Sequence, residues 1–179
     1  MTKLKIALLM STAAFGFASA QSPARVTAST LKVTQVTENG KTVEKLVDAS
    51  KGVLPGDTLE MKQRLDNLSE GKLTGVRLTM PIPAAVTFLS QQCSMTGVKT
   101  QYSTDAHQYD PKTKAIINVN AKKYADAAAL TKTVIVKENG ADVKKEVNAT
   151  PADYTALRWQ LPDLAAKQTV ECSIRVKVK

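Results

Sequence analysis

From Val53 to Ser90 apolar residues recur at every second position between turn signals, which predicts consecutive antiparallel strands. Leu59, Met61 and Leu65 fall on one face of the first strand, with Glu60, Lys62, Arg64 and Asp66 on the other. Pro55-Gly56-Asp57 opens that strand and the stretch from Asn67 to Gly71 closes it. Val76, Leu78 and Met80 share the face of a second strand, which Pro81 and Pro83 stop by removing backbone donors. Near the end of the chain Leu157, Trp159 and Leu161 alternate, and the last strand sets Val170, Cys172, Ile174, Val176 and Val178 inward against Thr169, Glu171, Ser173, Arg175 and Lys177 outward.

Asn39-Gly40 between Ala24–Thr37 and Lys41–Asp48 predicts a tight hairpin, because both turn residues tolerate positive φ. TENGKTVEKLVDAS around Asn39 and KENGADVKKEVNAT around Asn139 match at several spaced positions. That match fits a duplicated hairpin or the convergence of two short polar hairpins. Between Lys99 and Leu130 the pattern weakens to a turn at Asp110-Pro111, a strand over Ala115 to Val119 and a helical turn within Tyr124 to Leu130. No glycine- or serine-rich linker divides the chain, so one domain over 21–179 is expected.

The order proline-glycine-aspartate, strand, asparagine near the strand end, strand, proline break and Val-Thr-Phe strand resembles the family of bacterial envelope proteins called domain of unknown function eleven. LRWQLPDLAAKQTVECSIRVKV, Leu157 to Val178, is similar to that family's closing tryptophan strand, leucine-alanine loop and final strand. The resemblance covers 53–90 and 157–178. Thr79 stands where the family usually has an aspartate, and the segment after Cys93 has no counterpart. The resemblance implies an immunoglobulin-like antiparallel β-sandwich, here with extra hairpins and an inserted segment, on a surface protein that does no catalysis.

Residues 1–20 look like an export signal. Lys3 and Lys5 precede the apolar runs Ile6–Met10 and Ala13–Phe17, and Ala18-Ser19-Ala20 offers small residues to a signal peptidase, so cleavage before Gln21 is expected. The apolar stretch is short for a membrane span and no second candidate follows. Gln21 in place of cysteine departs from a lipoprotein pattern. The expected location is the periplasm or the cell surface. The two cysteines, Cys93 and Cys172, lie in the exported part, where an even number favours a disulfide over a metal site.

Catalytic chemistry finds little support. His107 is the single histidine, and Asp105, Asp110 and nearby serines lie beside it in a polar loop rather than in any triad motif. No metal or other cofactor is expected, since one histidine and two paired cysteines fall short of a zinc or copper ligand set. Met61 and Met80 sit on apolar strand faces, so they read as core, and Met95 alone makes no soft-metal site. Asp105 and Asp110 lack a calcium-loop motif. Trp159 with Tyr154 and Arg158 could be drawn as a stacking platform, but alternation puts Trp159 inside.

The formal charge of +9 falls to +7 when Lys3 and Lys5 leave with the signal. The basic residues Arg175, Lys177, Lys179, Lys144 and Lys145, with Lys122-Lys123, are spread along the chain, and an aromatic content of 4% argues against a dedicated nucleic-acid groove. Asn67-Leu-Ser and Asn148-Ala-Thr match a glycosylation acceptor that the bacterial resemblance makes silent. The reading is a non-catalytic exported module of the bacterial envelope whose partners are other surface proteins. The alternative is a binding module for acidic glycan or another polyanion, using the basic residues just named.

Overall fold

The computed structural model describes residues 23–105, 108–109, 112, 116–117 and 122–179. The expected export signal at 1–20, together with His107 and Asp110, lies outside the described residues.

The chain is an all-β sandwich of antiparallel sheets. Strands β1 (Ala24–Glu38), β2 (Lys41–Asp48), β3 (Thr58–Asn67), β5 (Val86–Cys93) and β12 (Thr169–Val178) form one sheet in the order β2-β1-β3-β12-β5. Strands β4 (Arg77–Pro81), β6 (Lys99–Ser103) and β11 (Ala156–Gln160) form a second, in the order β4-β11-β6. Two short ladders accompany them: β7 (Gln108–Tyr109) with β8 (Ile116–Ile117), and β9 (Thr131–Glu138) with β10 (Ala141–Asn148). Of the expected strand at 115–119 the described residues are Ile116–Ile117, which form β8, and the expected helical turn is a 3-10 turn at Ala127–Ala129.

Burial follows the alternation. Leu59, Leu65, Val170, Cys172, Ile174 and Val176 from the larger sheet meet Leu78, Met80, Leu157 and Trp159 from the smaller in one core. Trp159 is fully buried, and its Nε1–H donates across the sandwich to Gln91 Oε1 at 2.9 Å. Gln63, on the inward face of β3, donates from Nε2 to the Thr79 carbonyl of β4 at 3.2 Å. Tyr102 stacks on Tyr154 with ring centroids 4.5 Å apart, and Phe88 meets Tyr102 edge-on at 5.6 Å. Tyr154 and Trp159 are therefore core residues and offer no exposed stacking platform. Met80 is buried, and Met61 and Met95 pack against the same cluster.

Cys93 and Cys172 are disulfide-bonded, directly opposite each other on the neighbouring strands β5 and β12. The bond spans a sequence separation of 79, and constraining so long a loop in the unfolded chain is worth about 4 to 5 kcal/mol in the chain-entropy view. A bulge makes the pairing possible. Register along β12 shifts between Arg175, opposite Ser90, and Val176, opposite Phe88, so Leu89 is the extra residue and turns outward. Strict alternation from Phe88 would aim Ser90 and Gln92 inward; after the bulge Gln91 and Cys93 take those places.

Both Asn-Gly turns form as expected, with φ of 51° at Asn39 and Asn139 and positive φ at Gly40 and Gly140. The units they close correspond position for position. Lys32, Val36, Glu38, Asn39, Gly40, Val43, Lys45 and Val47 recur one hundred residues later as Lys132, Val136, Glu138, Asn139, Gly140, Val143, Lys145 and Val147. Glu38 is ion-paired to Lys45 as Glu138 is to Lys145. Lys32 reaches Asp57 at 2.7 Å and Lys132 reaches Asp153 at 2.6 Å, and each aspartate accepts the backbone N–H three residues before it. Shared register, turn and ion pairs favour duplication over convergence. The two hairpins differ in their surroundings: β1 runs back to Ala24 and pairs with β3, whereas β9 begins at Thr131 and, among the described residues, pairs with β10 alone.

Candidate functional site

The outer face of the larger sheet was expected to be wet, yet Glu60 and Asp66 on β3 are buried. The reason is position. β3 lies between β1 and β12, and long cationic side chains from these strands and from β3 itself fold over its carboxylates. Arg25 donates to Asp66 at 2.9 Å, as does Arg64, which continues to Glu171 at 3.7 Å. Lys62 lies 3.6 Å from Glu171 and 3.9 Å from Glu60, and Arg175 joins Glu60 at 3.5 Å to Glu44 at 2.8 Å. Charges of opposite sign therefore alternate across the whole face.

Asp66 is the anchor of this row. The Thr169 hydroxyl donates to it at 2.7 Å, and this bond, with those from Arg25 and Arg64, holds its carboxyl well below the usual carboxylate range. A carboxyl whose pKa is depressed on folding contributes stability above its unfolded pKa, near 3.9, and loses that contribution as pH falls towards the folded value. Asp153, lowered to about 2 chiefly by Lys132, acts in the same direction. Stability is expected to be level between about pH 5 and neutrality and to decline below that window, and the decline should be shallower in Asp66→Asn. Urea midpoints measured across that range test this; identical slopes in the two proteins would count against it.

The proposed basic residues do not gather into one patch. Arg175 is neutralised by Glu44 and Glu60, so it is part of the ionic row rather than a free cation. Lys177 is exposed beside it on β12, and Lys179 donates from Nζ to the Ala84 carbonyl at 2.8 Å. Lys144 and Lys145 are on β10 in a different sheet, on opposite faces, with Lys145 paired to Glu138. Lys122, expected among the dispersed surface charges, is buried. Its ammonium donates to the Asp105 carbonyl and to the Thr155 hydroxyl, and burial pushes its pKa down.

In the sequence Asn67 stands at a strand end and in a glycosylation motif, with no structural role assigned to its side chain. Its side chain is buried, donating to the carbonyls of Gly71 at 2.8 Å, Leu164 at 3.2 Å and Ala165 at 2.8 Å. Its Oδ1 accepts from the Ser69 N–H and hydroxyl at 3.0 and 2.7 Å. An amide so occupied is closed to a glycosyltransferase in the folded protein, whereas Asn148 is exposed at the end of β10. The strand-end position of Asn67 was visible in the sequence; its partners across the loop at Leu164 were not.

Among the described residues no group of three or more His, Cys, Asp or Glu is placed to hold a metal ion, and no helix is long and apolar enough to cross a membrane. The remaining surface features are strand edges. β2 and β5 bound the larger sheet, and β9 and β10 form a ladder with no further strand on either side among the described residues. Ile135 on β9 is 67% exposed. Comparison of the chain with protein-family models, with curated proteins and with solved structures gives no match in any of the three.

Proposed function

We propose that this chain is a non-catalytic structural or interaction module exported to the bacterial envelope, where it serves as a subunit or accessory of a larger surface assembly with other envelope proteins. The observation that carries this reading is the β9–β10 ladder, which among the described residues has open strand edges, and which carries an exposed isoleucine. Open edges recruit other strands by main-chain hydrogen bonding. The lysine-led apolar segment at 1–20 supports export, the cysteine pairing supports an oxidising compartment, and the resemblance of 53–90 and 157–178 supports an immunoglobulin-like module of the envelope. Polyanion binding is the weaker reading, because its residues lie on separate sheets and two of them are already ion-paired.

Replacing the exposed Lys144 and Lys177 by glutamine separates the two. For an assembly subunit, association with envelope proteins in the native host should survive both the replacement and washing at about 0.5 M salt, where exposed charges are screened. Loss of association in the glutamine variant, with a weaker salt dependence and an unchanged fold, would transfer the function to polyanion binding.

A further inference from the structure

The outer edge of β9 is complementary to itself. The two-residue turn makes Glu138 and Ala141 a hydrogen-bonded pair, so by the alternation of an antiparallel ladder Lys132, Val134, Val136 and Glu138 direct their backbone polar groups into β10. Thr133, Ile135 and Lys137 direct theirs outward. All three are exposed. A two-fold axis between antiparallel copies of one strand must pass between a residue and its own counterpart. Centred on Ile135, it sets Ile135 against Ile135, Thr133 against Lys137, Val134 against Val136 and Lys132 against Glu138, each on opposite copies.

Hydrogen-bonding phase, apolar contact and charge all agree in this register. Lys132 already touches Asp153 and Glu138 already touches Lys145, so pairing Lys132 with the second copy's Glu138 would join four charges of alternating sign. The exposed edge strand β2 gives the opposite result. Centring it on Glu44 or Lys45 opposes like charges, and centring it on Leu46 opposes Glu44 and Asp48. We infer that the chain forms a symmetric dimer by antiparallel pairing of β9 with β9 of a second copy, joining two hairpins into a four-stranded ladder. This inference rests on the assembly reading above and specifies one of its contacts.

Sedimentation equilibrium of the purified exported chain at micromolar to millimolar concentrations tests it. The wild type should approach a two-copy mass, and Ile135→Lys, which brings two ammonium groups together at the axis, should weaken association at least about tenfold while leaving the sandwich's thermal unfolding unchanged. Ile135→Cys should also give a disulfide-linked dimer under mild oxidation. A wild type that stays monomeric throughout overturns the inference, as does a dimer that survives Ile135→Lys. Open-ended polymers would overturn it in favour of β9 pairing, in the next copy, with the part of β1 that lies before its pairing with β2 at Leu31. Envelope association that persists in a monomeric protein would remove this contact alone; a dimer without envelope partners would remove the assembly reading instead.

Discussion

Asn67→Ala should lower the stability of the folded chain by about 3 to 5 kcal/mol, as read from urea or guanidinium unfolding. Truncation removes the bonds that tie a buried side chain to the carbonyls of Gly71, Leu164 and Ala165 and to the two groups of Ser69. Each of these bonds is worth about 0.5 to 1.5 kcal/mol net, and some of the sum is recovered because Leu164 and Ala165 keep the N–H groups of Leu73 and Gln168 and the Ser69 hydroxyl keeps the Gly71 carbonyl. Asn67→Asp is the sharper test, because it keeps the shape and the acceptor but cannot supply the donors. It should be destabilised nearly as much as the alanine variant at neutral pH. A change below about 1 kcal/mol in either protein would show that the Asn67 amide does not hold the two loops together.

Trp159→Ala should destabilise by a similar amount, about 3 to 5 kcal/mol, through the loss of the largest fully buried side chain. Trp159→Phe divides that loss. It restores most of the ring contact with the core but leaves Gln91 Oε1 without its donor, and should cost about 1 to 3 kcal/mol. Adding Gln91→Leu to Trp159→Phe should then recover part of the loss, since removing both partners of a buried hydrogen bond is milder than removing one. Far-ultraviolet circular dichroism can follow unfolding in all of these proteins, and Trp159, the single tryptophan, reports the wild-type transition by fluorescence. Failure of the double variant to recover would mean that Gln91 is rehydrated once the indole is gone.

Alternation along the chain determined most of the strands and their inward faces, because a period of two leaves little choice about which side of a half-buried sheet is apolar. Leu59, Leu65, Leu78, Met80, Leu157, Trp159 and the β12 series were legible for this reason. Both Asn-Gly hairpins were legible as well, since positive φ at consecutive residues is a local demand met by local chemistry. With two cysteines in the chain, the pairing partner was also determined.

The tertiary structure alone decided which strands became neighbours, and with that the environment of every outward residue. Glu60, Asp66 and Arg175 read as wet positions in an isolated strand, yet β3 and β12 are interior strands, so the three are drawn into one ionic row. Lys122 is buried by the same kind of long-range packing, against Asp105 and Thr155. The bulge at Leu89 carries no local signature, because a bulge is a mismatch between two strands far apart in sequence; it is what turns Gln91 towards Trp159 and Cys93 towards Cys172. The surroundings of the two Asn-Gly hairpins were decided in the same way. Hairpins that share their turn, their ion pair and their valine spacing form β1–β2 and β9–β10, but β1 continues along β3 while β9 stops at Thr131, and an edge is open or closed according to what lies beside it, which no strand encodes by itself.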